Sequence, residues 1–267
     1  MDIGKLLENS FGYAKEGLLG NIGTWIILII LAILPGIPIM LSFLTLIPSL
    51  MTGTMPDFGA FIGIFIVAVI AAIFLSAFYQ GYQMKILRGE VPLPAVSGYG
   101  KLFSDGIKYL IITFIYAIPV LIILAVTIGG AIMTAVSAGP NFEDILPIIG
   151  AVILGVIIAL IVGFIIGLFA VIGLIRFARS GRMGDAFSFG AIKDTIGRIG
   201  WGHYILSLIV VGVIVVIVSI VFGVIPYIGW LLNLIIAPFI AVFYSRYLSL
   251  LYDSGQEGVV AAPETGA

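Results

Sequence analysis

Six apolar stretches, at about residues 22–47, 59–79, 109–135, 146–173, 203–224 and 230–250, run with no Asp, Glu, Lys, Arg or His in their middle. About 20 apolar residues cross the ~30 Å hydrocarbon core of a bilayer as a helix, and a helix satisfies its own backbone hydrogen bonds where no water can. The pattern predicts an all-α integral membrane protein with six transmembrane helices. They form a single transmembrane domain over residues 1–252, followed by a short tail, 253–267, whose small and acidic residues read as disordered. A water-soluble core is not an alternative. Charged residues make up 9% of the chain, against about 25% in soluble domains.

The segments between the spans set the orientation. Residues 1–20 place Ile3, Leu6, Leu7, Phe11, Ala14 and Leu18 at spacings of three and four, the pattern of an amphipathic helix lying in the membrane interface. Two of the twelve Lys/Arg fall in this segment, four in residues 80–108, five in 176–200 and one at Arg246. The connections 48–58, 136–146 and 225–229 carry none. All twelve thus belong on one face, which the positive-inside rule makes cytoplasmic. A multi-pass protein of the cell (plasma) membrane follows, with both termini in the cytoplasm. Trp25 and Trp201 are expected at the inner interface and Trp230 at the outer one. Pro35-Gly36-Ile37-Pro38 should kink or break the first span. An acidic outer loop is expected around Asn141, Glu143 and Asp144.

The same order of amphipathic segment, span, outer turn and span recurs, and reads as three helix-plus-hairpin repeats with three interfacial amphipathic helices. Lys5, Lys101 and Lys193 hold matching places. Lys85-x-x-Arg88-Gly89 and Arg176-x-x-Arg179-x-Gly181 end two even spans alike, with a basic pair on one helical face before a glycine stop.

The residues from Leu174 to Tyr204 hold five basic side chains and the only histidine. Arg176, Arg179, Arg182, Lys193, Arg198, Lys85 and Arg88 are the candidate contacts to lipid headgroups or a partner, with anionic lipid on the cytoplasmic side the first expectation; the bland reading is that they fix topology alone. In the fourth span Gly155, Ala159, Gly163 and Gly167 recur every fourth residue and form a candidate packing seam. The seam serves either a homo-oligomer or another span of the same chain. His203 stands without a second ligand at metal spacing. The sequence has no paired buried carboxylates, no metal ligand set and no cofactor fingerprint, so neither a catalytic site nor a cofactor is expected. The net charge of -1 gives no field for nucleic acid.

Gly81-Tyr82, Ile86-Leu87-Arg88-Gly89, Leu93-Pro94, Lys101 through Lys108, Tyr116 and Pro119 together form a pattern beyond generic hydropathy. Arg176-Phe177-Ala178, Gly181-Arg182, Ala186-Phe187 and Ile228-Gly229-Trp230 add to it. The string resembles an uncharacterised, mainly archaeal membrane family catalogued as domain of unknown function 4013, over about residues 5–250. That resemblance implies a multi-span membrane protein and carries no functional residues. The functional expectation is a non-enzymatic membrane scaffold or partner-binding subunit acting through its cytoplasmic amphipathic segments; alternative: a channel or transporter for a neutral or lipid-like solute.

Overall fold

The computed structural model describes residues 2–138 and 142–260. Ten α-helices and two 3-10 turns make up the described residues, and no strand occurs among them. The helices are α1 (Ile3–Leu19), α2 (Ile22–Ile33), α3 (Gly36–Phe43), α4 (Ile47–Thr52), α5 (Phe58–Leu87), α6 (Tyr99–Ala138), α7 (Phe142–Ser180), α8 (Phe189–Ile199), α9 (Trp201–Gly223) and α10 (Gly229–Val260). Five of them, α5, α6, α7, α9 and α10, are long and apolar enough to cross a membrane. The count reaches six if the bent pair α1 and α2 is taken as one span.

The first expected span is the one that departs from a simple rod. Its run divides into α2 and α3, 12 and 8 residues long, and the break falls at Leu34-Pro35, where proline cannot continue the hydrogen-bond ladder. Upstream, Gly20 and Asn21 turn the chain by 99° between α1 and α2. Asn21 makes that turn cheap, because its side-chain oxygen accepts a bond from Thr24 N at 3.1 Å and caps the new helix. Asp57 does the same for α5 through Ala60 N at 3.0 Å.

Two further differences from the sequence reading have clear causes. Residues 99–108, expected as a separate amphipathic helix, are the first turns of α6, which runs 40 residues without a break; no helix-stopping residue separates them from the span. Residues 253–260, expected in the disordered tail, continue α10. Arg179 holds Asp253 through both carboxylate oxygens, and Arg198 Nε donates to Gly255 O at 3.0 Å. Residues 261–267 and the side chains around Asn141, Glu143 and Asp144 lie outside the described residues.

Packing is concentrated at the basic end. One cluster joins Leu6 and Leu18 of α1, Tyr82 and Ile86 at the end of α5, Leu102 and Ile112 at the start of α6, Ile172 and Phe177 at the end of α7, Ile192 and Ile196 of α8, Tyr204 of α9 and Tyr247 of α10. We call this cluster the hub. Away from it the helices splay. Of the most apolar 18 residues in each, 11% are buried in α5, α6 and α9, against 44% in α10. α10 is therefore the central post, on which α5, α7 and α9 lean, while α6 packs on α5 and α7. At about 1.5 Å per residue α6 is roughly 60 Å long, twice the hydrocarbon thickness, so it reaches well past the bilayer.

Candidate functional site

The hub is tied by a reciprocal exchange between two arginines. Arg88, the C-cap of α5, donates Nε to Ala178 O of α7 at 3.0 Å. Arg179 of α7 donates Nε to Leu87 O of α5 at 2.9 Å. Each guanidinium thus bonds the carbonyl one residue before the other arginine. The last carbonyls of a helix have no partner within it, and a cation there also suits the helix dipole. Both arginines reach a carboxylate as well. Arg88 pairs with Asp105 of α6, a residue only 7% exposed, and Arg179 pairs with Asp253 of α10 and bonds Ser249 Oγ at 2.9 Å. Gly89, at φ +86, lies so close to the Arg179 guanidinium that a Cβ would press on it. Four helix ends are fastened by two side chains.

Close backbone contact completes the hub. A Cβ on Gly81 would overlap Leu102 O, and one on Gly106 would overlap Ala77 O, so α5 and α6 cross with their backbones touching.

The other basic candidates do not converge with these two. Arg176 and Arg182 meet around Asp185: Arg176 Nε donates to its carbonyl at 3.3 Å, and Arg182 pairs with its carboxylate at 3.0 Å. The Ser180 hydroxyl, then Arg182, hold the Asp185 carboxyl below the usual carboxylate range. Lys85 Nζ donates to Ala95 O and Ser97 O in the α5–α6 loop. Arg198 bonds Gly255 O and Thr195 Oγ1. Lys193 is exposed on α8. His203 Nε2 is enclosed with no hydrogen-bond partner among the described residues. Trp25 is bonded within the bundle: its Nε1 donates to Ile235 O of α10 at 3.0 Å, in the turn before Pro238, where the ladder is already interrupted.

The small-residue seam of α7 faces α6. A Cβ on Gly155 would overlap the Thr127 side chain, and one on Gly163 would stand 3.5 Å from Val120 Cγ2. Ala159 is buried, whereas a Cβ on Gly167 would meet nothing within 4 Å.

A feature absent from the sequence reading lies between α9 and α10. A cleft of about 540 Å³ opens there, lined by Gly212, Val216 and Ser219 of α9, Asn233 and Ala241 of α10, and Gln83 of α5. Gln83 and Tyr244 also line an inner chamber of about 120 Å³ with Tyr109 and Ser245. The signal was present in the sequence: Gly212, Val215, Val216 and Ser219 share one helical face, as do Asn233, Ala237 and Tyr244. Periodicity alone does not tell such a face from an ordinary packing stripe.

No match to the chain was found among curated proteins or solved structures. The family described as "Protein of unknown function (DUF4013)" matches residues 64–227, narrower than the resemblance over 5–250, and leaves out α1 to α4 and all but the approach to α10. The matched stretch contains both arginines of the exchange, Asp105 and the Gly81/Gly106 crossing, and on that match the chain belongs to the DUF4013 family.

Proposed function

We propose that the protein is a non-enzymatic binding subunit of the plasma membrane, with six spans and both termini in the cytoplasm, that holds a membrane-embedded partner against the sides of its spans. The observation that carries this reading is the contrast between a closed hub and bare spans: α5, α6 and α9 keep nearly nine-tenths of their most apolar residues unburied. The cytoplasmic amphipathic segments offer less. The inward faces of α1 and α8 are consumed by the hub, with Leu6, Ala14, Leu18, Ile192 and Ile196 all fully buried. What those segments leave outside is lysine. Lys5, Lys15, Lys101 and Lys193 are exposed, each worth about 1 kcal/mol against an anionic leaflet, so headgroup contact falls to them more than to the internally bonded arginines.

The sixth crossing is best made by α2 and α3 together, as one span broken at Pro35. Pairing α1 with α2 would carry Lys5, Glu8, Lys15 and Glu16 into hydrocarbon, at about 2.5–3.5 kcal/mol for each charge reaching the centre. The threefold repeat is supported by the Arg88/Arg179 exchange, in which matching positions of two units play one role. It is also supported by the pairing of exposed Lys5, Lys101 and Lys193 with buried Leu6, Leu102 and Ile192. Single cysteines at Ser137 and Ser180 in this cysteine-free chain should react with an impermeant maleimide from opposite sides of the membrane. Reaction of both from one side would end the six-span reading.

A photoreactive residue at Ile122 or Ile157, both exposed on spans, should capture a protein of defined mass in native membranes, either a second copy or another membrane protein. The same residue at Lys193 should capture none. Lipid adducts alone at the span positions would overturn the binding-subunit reading. A second reading, a channel or transporter for a neutral or lipid-like solute, is favoured by the cleft between α9 and α10.

A further inference from the structure

The geometry points to the α9–α10 cleft as a binding site for a single-chain amphiphile with an uncharged, hydrogen-bonding head, seated with that head at Gln83 and Tyr244. Use of the site in transport rests on the second reading above; occupancy of the site does not. The cleft is hollowed by what its walls lack. Gly212, Ala237 and Ala241 line it, and a Cβ on Gly212 would meet no atom within 4 Å. It lies between the apolar stretches of α9, whose most apolar residues are only 11% buried, and α10, so an occupant is drawn from the acyl region of the bilayer.

Length and polarity then narrow the class. From Asn233 to Tyr244 the α10 wall rises about 17 Å at 1.5 Å per residue, close to half the ~30 Å hydrocarbon core. One leaflet's acyl chain fits that run. Val215, Val216 and Ile240 line its middle. Both ends of the wall are polar, but at the far end Asn233 Nδ2 already donates to Ser219 O at 3.2 Å, whereas at the end nearer the hub Gln83 and Tyr244 lead into the chamber that Tyr109 and Ser245 also line. Its volume of about 120 Å³ is room for several water-sized groups. Gln83 Oε1 accepts only a long bond, 3.5 Å, from Ser245 Oγ. Its Nε2 and the Tyr244 hydroxyl have no hydrogen-bond partner among the described residues. Those groups offer donors and an acceptor to a hydroxyl or amide head, which would leave fewer polar groups unpaired.

Charge excludes the ordinary bilayer lipids. The lining of cleft and chamber contains no Lys, Arg, Asp or Glu. A phosphate or carboxylate drawn into it would lose hydration with no cation in return. A fatty alcohol or a monoacylglycerol meets no such penalty.

The test uses the full chain in vesicles of phosphatidylcholine and phosphatidylglycerol, with a diazirine-tailed monoacylglycerol as probe. Irradiation should place adducts on the cleft faces of Gly212–Ser219 and Asn233–Ala241. Unlabelled monoacylglycerol should compete, and lysophosphatidylglycerol of the same chain length should not. Gly212→Leu fills the groove and should abolish the labelling. Gln83→Leu leaves the groove open but removes the head's partner, and should weaken competition by roughly two- to tenfold, the span of one neutral hydrogen bond. Melting midpoints of both variants establish that they fold; if Gly212→Leu does not, Gln83→Leu carries the test. Equal competition by the charged lysolipid, labelling spread evenly over all lipid-facing spans, or unchanged behaviour of a folded variant would overturn the site. The readout is equilibrium occupancy, so a separate flux measurement showing no movement of the amphiphile would remove the transport reading and leave the site standing.

Discussion

Arg88→Met is expected to lower the melting midpoint of the purified protein by roughly 6–12 °C. The side chains of Arg88 and Asp105 are 19% and 11% exposed, so removing the cation strands a carboxylate in a closed hub. Loss of one partner of such a pair costs about 3 kcal/mol, and each kcal/mol moves the midpoint of a chain this size by about 2–4 °C. The same substitution also frees Ala178 O, which Arg88 Nε caps. Adding Asp105→Leu should recover most of the loss, because an apolar pair of similar volume leaves no uncompensated charge. Arg179→Met should cost less, on the order of 1 kcal/mol, since its side chain and that of Asp253 are 31% and 36% exposed. A midpoint unmoved by Arg88→Met would mean that the exchange does not hold the helix ends together.

Gly106→Leu should do at least as much damage. The atom a side chain would strike there is Ala77 O, a backbone carbonyl of α5, and it cannot rotate away. Relief requires the two helices to separate along the crossing that also seats Gly81 on Leu102 O. It also requires Phe103 to leave Phe78, whose ring centroids are 5.2 Å apart. Overpacking a tight core costs about 1–3 kcal/mol when side chains can adjust; here they cannot, and the expected result is loss of a monodisperse peak on size-exclusion chromatography. Gly212→Ala is the matched control. It meets open space and should hold or raise the midpoint, since alanine suits a helix interior by up to about 1 kcal/mol over glycine. Similar behaviour of the two variants would refute the backbone crossing.

These two sites show where sequence reading reaches and where it stops. The long apolar helices follow from local composition, because lipid leaves a backbone so few ways to bond itself. The break at Pro35 follows from one ring and one missing N–H. The Arg88/Arg179 exchange does not follow locally: it needs two helix ends 91 residues apart in sequence to meet, and nothing near either arginine says that they do. The crossing glycines are hidden for another reason. With 34 glycines in the chain, Gly81 and Gly106 have no mark of their own until the two backbones are placed side by side. Asp253 sits in a segment whose small polar residues suggest a loose tail, and it is Arg179 and Arg198, far upstream, that hold this segment in place. Of the candidate contacts, Lys193 is exposed, whereas Arg88, Arg176, Arg179 and Arg198 are engaged with backbone carbonyls of the chain itself.

The central post has a bearing on how the chain comes to be built. α1 rests on α10, with Phe11 against Phe239 and Tyr13 beneath Arg246, and Trp25 bonds a carbonyl 210 residues later. α1 is therefore made well before the helix it mostly rests on, although Tyr13 OH donates to the earlier Glu90 O at 2.8 Å. Until α10 is inserted, the part of α1 that it covers must rest on the membrane surface, where an amphipathic helix can wait. Closure of the hub is then a late event that draws α1 and α10 together, and a chain released before Arg246 would leave α1 without that support.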